Sequence, residues 1–297
     1  MEPELIPVTD RSYYIQSPAK IGLVLLEGDE VCLIDGGNDK SAARHVRKIL
    51  DAHGWKLRAI YCTHSHADHI GGCKYLQTQT GCRIYAPGIE CDFTRHPILE
   101  PALLYGGNPG AELKNKFFLA QESDAEPLRE QDLPPGFSII PLPGHSFDMV
   151  GYRTPDDVVY LADSLISRAT LEKYRICYIY DVAAHLRTLE MLQTLPAAHY
   201  IPAHAEATDD ITELVRLNTR QVHTVAQDIL TYCATPQSTE DILQRIFTDY
   251  QIPINYAQYA LLGCTVRSYL TWLVEIGRMR SSFEGHRLLW HSISTQL

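Results

Sequence analysis

Thr63-His64-Ser65-His66-Ala67-Asp68-His69 sets four potential metal ligands within six consecutive positions, directly behind the largely apolar run Leu57–Cys62. Imidazole nitrogen and carboxylate oxygen both suit a borderline-soft divalent ion such as zinc. With 13 histidines in 297 residues, an HxHxDH pattern arises by chance in roughly one such chain in a thousand, so the motif is informative. Ala59-Ile60-Tyr61-Cys62 reads as a buried strand, and Ile70-Gly71-Gly72 gives the backbone room to turn beside a ligand cluster. In extended chain His64 and His66 point to the same side and can share one ion. Asp68 and His69 are adjacent, so the chain must turn to converge them, and they more naturally serve a second ion. A solvated, metal-free loop is the bland alternative.

Three further stretches supply the remaining ligands. Phe137–Leu142 is apolar and runs through a Pro-Gly turn into His145. Val158–Ala162 is apolar and ends in Asp163. Tyr200-Ile201-Pro202-Ala203 leads into His204. Singly, each is weak: a lone histidine after a strand is usually surface or core, and a strand-end aspartate is usually a turn former. Together with HxHxDH, their order and strand-end placement make a set.

On these residues the chain resembles the metallo-β-lactamase superfamily, over Tyr13 to about Glu206. The resemblance assigns His64, His66 and His145 to a first metal and Asp68, His69 and His204 to a second, with Asp163 bridging. Asp35, in Leu33-Ile34-Asp35-Gly36-Gly37, matches an early aspartate that supports the site from behind. Pro202-Ala203-His204 departs from the family's common Pro-Gly-His but keeps the ligand. The implied fold is an α/β, αββα sandwich. The implied chemistry is attack by a metal-bound hydroxide, formed near neutral pH between two ions, with Asp163 and Asp68 as the catalytic carboxylates. Zinc is the foremost metal, with iron or manganese as alternatives. Ser65, Cys62 and Cys73 read as packing residues, since the metals already supply a nucleophile.

Composition fits a globular hydrolase. Hydrophobic residues make up 45% and the formal charge is −10, which disfavours a chain built for nucleic acid or an anionic membrane. No apolar run approaches the roughly eighteen residues of a membrane span. The opening Met1-Glu2-Pro3-Glu4-Leu5 lacks the basic and apolar regions of an export signal. The eight cysteines form no CxxC pair. The expectation is a cytoplasmic protein with reduced thiols.

Strands are expected over Ser12–Gln16, Ile21–Glu27 and Glu30–Ile34, with Gly28-Asp29 as a hairpin turn, and at Cys82–Tyr85. Helices are expected over Lys40–His53, Gly72–Thr80 and Val182–Leu195, the last capped by Asp181. Glu90–Gly136 is long and rich in Gly and Pro, which suggests a functional loop. Its Tyr105 is a candidate pocket hydroxyl, weighed against a packing role. Arg175, just beyond Asp163, is a candidate contact for an anionic substrate group, weighed against a solvated surface role.

We expect a catalytic domain over 1–208 and a small helical domain over 209–297. Helices at Thr212–Tyr232, behind a Ser238–Asp241 capping box, and at Asn255–Ile276 precede a hairpin at Met279–Ser282 and Arg287–His291. That order is winged-helix-like and resembles the tail of some superfamily members, among them a lactamase-like endoribonuclease. Positions 209–297 hold nine acids against seven arginines and no lysine, so nucleic-acid binding is disfavoured. Walling the substrate cleft or forming a homodimer fits better.

The expected activity is hydrolysis of a small-molecule ester, thioester or lactone, by resemblance to the glyoxalase II-like and lactonase branches. Alternatives are a metal-dependent ribonuclease or phosphodiesterase, and a non-catalytic metal-binding protein.

Overall fold

The strands of the first half are buried on both faces, and alternation decides which layer each side chain joins. In the computed structural model, which describes residues 4–293, Val31 and Leu33 of one strand enter a helix-facing core. Cys32 and Ile34 of the same strand enter a second core facing the other way.

Seven strands form the first sheet in chain order: β1 (Leu5–Pro7), β2 (Ser12–Ile15), β3 (Ile21–Leu25), β4 (Glu30–Ile34), β5 (Lys56–Tyr61), β6 (Arg83–Ala86) and β7 (Ala125–Pro127). Pairing is antiparallel up to β4 and parallel from β4 to β7. The second sheet holds β8 (Ser138–Pro141), β9 (Val150–Arg153), β10 (Val158–Ile166) and β11 (His199–His204), ordered β11-β10-β9-β8. Only β10 and β11 run parallel in it. The sheets stack face to face. Tyr14, Tyr61 and Tyr85 of the first meet Tyr152, Tyr160 and Ile201 of the second in the core between them.

Helices cover both outer faces. On the first sheet lie α1 (Lys40–His53), the single turn α2 (Ala67–Ile70) and α3 (Cys73–Thr80). Helix α1 keeps its expected bounds: Asp39 caps it by accepting from the Ser41 and Ala42 amides, and Gly54 ends it at φ 68°. The stretch expected to be a functional loop after Glu90 is partly regular, with α4 (Glu90–Arg95), α5 (Leu99–Tyr105) and then β7, which joins the first sheet's edge. Its Gly and Pro residues punctuate short elements rather than one long loop.

Beyond β10 come α6 (Arg168–Tyr174) and α7 (Val182–Leu192), the latter capped by Asp181 through the Ala184 amide. The tail follows as α8 (Thr212–Tyr232), α9 (Thr239–Asp249), α10 (Tyr256–Glu275) and a hairpin of β12 (Met279–Glu284) and β13 (Arg287–Ser292). The Ser238–Asp241 capping box is formed. Val215, Val222, Val225 and Ile229 make the buried stripe of α8. They share one continuous core with Leu161 and Leu165 of β10 and Leu189 of α7. The tail is therefore the outer helical layer of the second sheet.

Candidate metal centre

The HxHxDH segment leaves β5 where that strand's hydrogen bonding ends. The Thr63 amide and hydroxyl donate to Asp35 Oδ1 at 2.7 Å and Oδ2 at 2.9 Å, and the Thr63 carbonyl accepts from the Val150 amide of the second sheet at 3.0 Å. The turn that adjacent Asp68 and His69 require is the single helical turn α2. It packs so tightly that a Cβ on Gly72 would collide with the Gly36 carbonyl oxygen, hence glycine there. Asp35 sits at φ 66°, and its Oδ2 also accepts from His69 Nδ1 at 2.8 Å.

The other three residues arrive from the second sheet. Gly144, at φ 122° and pressed against the His185 backbone, turns the chain after β8. His145 then donates from Nδ1 to the Tyr178 carbonyl at 3.2 Å. The β10–β11 register slips around Ala162, which has φ 48°. This irregularity, one residue before Asp163, aims its carboxylate into the cluster. At the end of β11, His204 donates from Nδ1 to the Pro18 carbonyl at 2.9 Å.

Seven donor atoms thereby converge in two groups: His64, His66 and His145, and Asp68, His69, Asp163 and His204, each group within 4.8 Å. His66 Nδ1 lies 3.0 Å from His64 Nε2 and 2.9 Å from His145 Nε2. Asp163 reaches both groups, at 3.0 Å from His69 Nε2, 3.2 Å from His204 Nε2 and 3.4 Å from His145 Nε2.

The electrostatics separate the groups as a cation site requires. Burial, reinforced by neighbouring imidazoles, pushes His64 well below its usual value. Burial likewise lowers His66, and takes His145 down to about 3. These rings are neutral, and the outward donation from His145 Nδ1 leaves the Nε2 lone pair facing the cluster. Burial also pulls on His204, but the Asp163 and Asp68 carboxylates outweigh it and lift the ring to about 10. His69 is raised in the same sense, chiefly by Asp163. Burial opposes ionisation of Asp68 and Asp163, yet their histidine neighbours hold both below the carboxylate range.

His69 and His204 each donate outward from Nδ1, so Nε2 faces a carboxylate and calls for a positive charge between them, whether a proton on the ring or a metal ion. Among the described residues, His69 Nε2 and Asp163 Oδ1 are buried 3.0 Å from each other without forming a well-aligned hydrogen bond, and neither has another hydrogen-bond partner. Borderline-soft divalent ions fit this donor set.

The cluster forms one end of a cavity of about 520 Å³. Tyr178 is in its wall, its ring 5.3 Å from that of His66 and 5.6 Å from that of His145. The two candidate substrate contacts lie elsewhere. Arg175 is exposed at the end of α6 and does not line this cavity. Tyr105, 46% exposed, lines a separate cleft between α5 and α10, where its ring lies 6.0 Å from that of Tyr256. These positions agree with the packing role weighed for Tyr105 and the surface role weighed for Arg175; each residue stands at the end of a short helix.

Two supporting residues escaped the sequence reading. Glu90, fully buried at the start of α4, accepts from the Ser65 amide at 3.0 Å and hydroxyl at 2.5 Å, from the Ser146 hydroxyl at 2.6 Å and from the Asp148 amide at 3.1 Å. It therefore ties the His64–His66 loop to the His145 loop. Its signal was the strand-then-turn pattern of the ligands themselves, Ile84–Ala86 followed by Pro87-Gly88. Asn218 of α8 is the other: its side chain pairs with the amide and carbonyl of Ile166 at 3.0 and 2.9 Å, fixing the end of the strand that carries Asp163.

Glu90→Gln should lower metal affinity by about 10–100-fold, because an NH2 must then face groups that donate. Competition with a chromogenic chelator measures this. Unchanged affinity in a folded variant would show that the carboxylate does not set the loops.

Residues 18–204 match the metallo-beta-lactamase superfamily, and the chain belongs to that superfamily. Hydroxyacylglutathione hydrolases from Rhodopseudomonas palustris and Nitrobacter hamburgensis are 31% and 32% identical to it over 130 residues, 43% of this chain. The match spans only 42% of each relative's length. Among solved structures, a beta-lactamase domain protein from Burkholderia ambifaria superposes with a TM-score of 0.76 at 17% identity, covering 98% of this chain and 94% of that one. A metallo-beta-lactamase family protein from Thermus thermophilus gives 0.72 at 17% identity, covering 98% and 99%. At such identity these two speak for the fold, tail included.

Proposed function

We propose that this protein is a dinuclear metal-dependent hydrolase of a small ester, thioester or lactone. The observation that carries the reading is the pair of converging donor groups, joined through Asp163, at the end of a substrate-sized cavity. His64, His66 and His145 would hold one ion, Asp68, His69 and His204 the other, and Asp163 both. Ions held there supply an activated water at neutral pH and polarise the scissile carbonyl. Asp35 fixes the His69 ring and thus the lone pair it presents. Asp68, with 38% of its side chain exposed, lines the cavity and can orient the attacking water through Oδ1. Tyr178 shields the first group from solvent. Relatives named hydroxyacylglutathione hydrolase point to thioesters.

Zinc is the metal proposed, on the nitrogen-rich donor set. We read 1–208 as the catalytic part and 209–297 as a second module whose α10 walls the cleft, since Leu261 and Leu262 line it. No helix among the described residues is long and apolar enough to cross a membrane. All eight cysteines are free, which suits a reducing compartment.

Protein purified without chelator should contain two divalent ions per chain by elemental analysis. It should turn over members of a panel of thioesters, esters and lactones faster than phosphodiesters or RNA. Less than one metal per chain after reconstitution would overturn the dinuclear reading, and preference for RNA would favour the phosphodiesterase.

A further inference from the structure

The cavity beside the cluster has two unlike ends. At one end stand Asp68, His145, Asp163 and His204. Away from them an apolar strip of Ile166 at the end of β10, Ile176 after α6, Ile252 after α9, and Leu261 and Leu262 of α10 is flanked by uncharged polar side chains, among them Thr170 of α6 and Gln258 of α10. Ile176, Ile252 and Leu262 are all buried in the core that the tail shares with the second sheet, so packing holds them in place.

Outside the cluster, the charged lining residues are Lys20 and Glu206. They do not act as a free pair of opposite ends. The Lys20 ammonium donates to the Ala205 carbonyl and lies 5.8 Å from the centre of the Tyr14 ring, and Glu206 is close enough to act on it electrostatically. Among the described residues, no arginine lines the cavity.

We infer that the cavity selects a neutral substrate carrying an apolar group, seated against Leu261 and Leu262, rather than a glutathione conjugate. The inference rests on the hydrolase reading above and names its substrate class. Glutathione brings two carboxylates and one ammonium beyond its sulfur. A carboxylate driven against this strip would lose its water and find as a cation only Lys20, whose ammonium is already engaged by the Ala205 carbonyl and by Glu206, and burying a poorly paired charge is unfavourable. An alkyl chain in the same place gains about 0.8 kcal/mol per methylene, which is about four-fold in affinity.

The test is calorimetric titration of the metal-loaded, full-length protein with neutral, non-hydrolysable S-alkyl-N-acetylcysteamine thioethers, ethyl through hexyl. Affinity should rise about four-fold per methylene, and S-hexylglutathione should bind at least about ten-fold more weakly than its neutral counterpart. Leu261→Asp should flatten the series. A series already flat in the unsubstituted protein, or S-hexylglutathione binding as tightly as the neutral ligand, would overturn the inference whether or not the variant folds. Turnover of the matching acyl thioesters is read separately. A graded binding series without turnover of any ester, thioester or lactone would sink the hydrolase reading alone. Turnover with a flat series would sink this inference alone.

Discussion

Asp163→Ala should leave a folded protein with no more than one metal per chain and with hydrolysis reduced at least about 1000-fold. The size follows from the several kcal/mol of transition-state stabilisation that a paired-metal site provides, at about 1.4 kcal/mol per factor of ten. Asp163 is the residue whose carboxylate reaches both donor groups, so its loss removes a proposed ligand from each. Folding should survive, because His69 and His204, once released from this carboxylate, can lose their protons instead of remaining buried and charged. Its position follows an irregularity in β10 that alanine can retain. His145→Ala should empty the first group in the same way. Elemental analysis beside steady-state kinetics measures both effects, and near-normal turnover with two metals retained would mean that the site is misassigned.

Removing residues 209–297 should have the largest effect on stability: the remaining chain should be insoluble or lack a cooperative thermal transition. Val215, Val222, Val225 and Ile229 of α8 cover Leu161 and Leu165 of β10. Each buried side chain of this kind contributes about 1.5–3 kcal/mol, against a total stability of about 5–15 kcal/mol for a typical domain. The cut also deletes Asn218, which holds the end of β10. A soluble 1–208 fragment that melts cooperatively and binds two metals would contradict this.

What could be read from the sequence is local. Each proposed ligand stands in or shortly after an apolar strand, so the strand and its donor announce each other within about ten residues. Helices α1, α7 and α9 follow from apolar spacing, and α7 and α9 also from their N-caps. Glu90 could not be read with the same ease, because its partners Ser65, Ser146 and Asp148 lie 25, 56 and 58 residues away. Asn218 is hidden for the same reason, 52 residues from the backbone it completes. Whether Tyr105 and Arg175 would reach the cluster's cavity could not be read from sequence, because side-chain placement at a helix end depends on tertiary packing.

The two donor groups do not divide along the sandwich. His64, His66, Asp68 and His69 are carried by the first sheet's loops, and His145, Asp163 and His204 by the second sheet's. Each proposed ion would thus be gripped from both layers, like a bolt through two plates. A slip of one sheet along the other, by an amount too small to expose the tyrosine-rich core between them, would already spread the grip. Damage to that core should therefore register first as weakened metal retention, in protein that still melts as one unit.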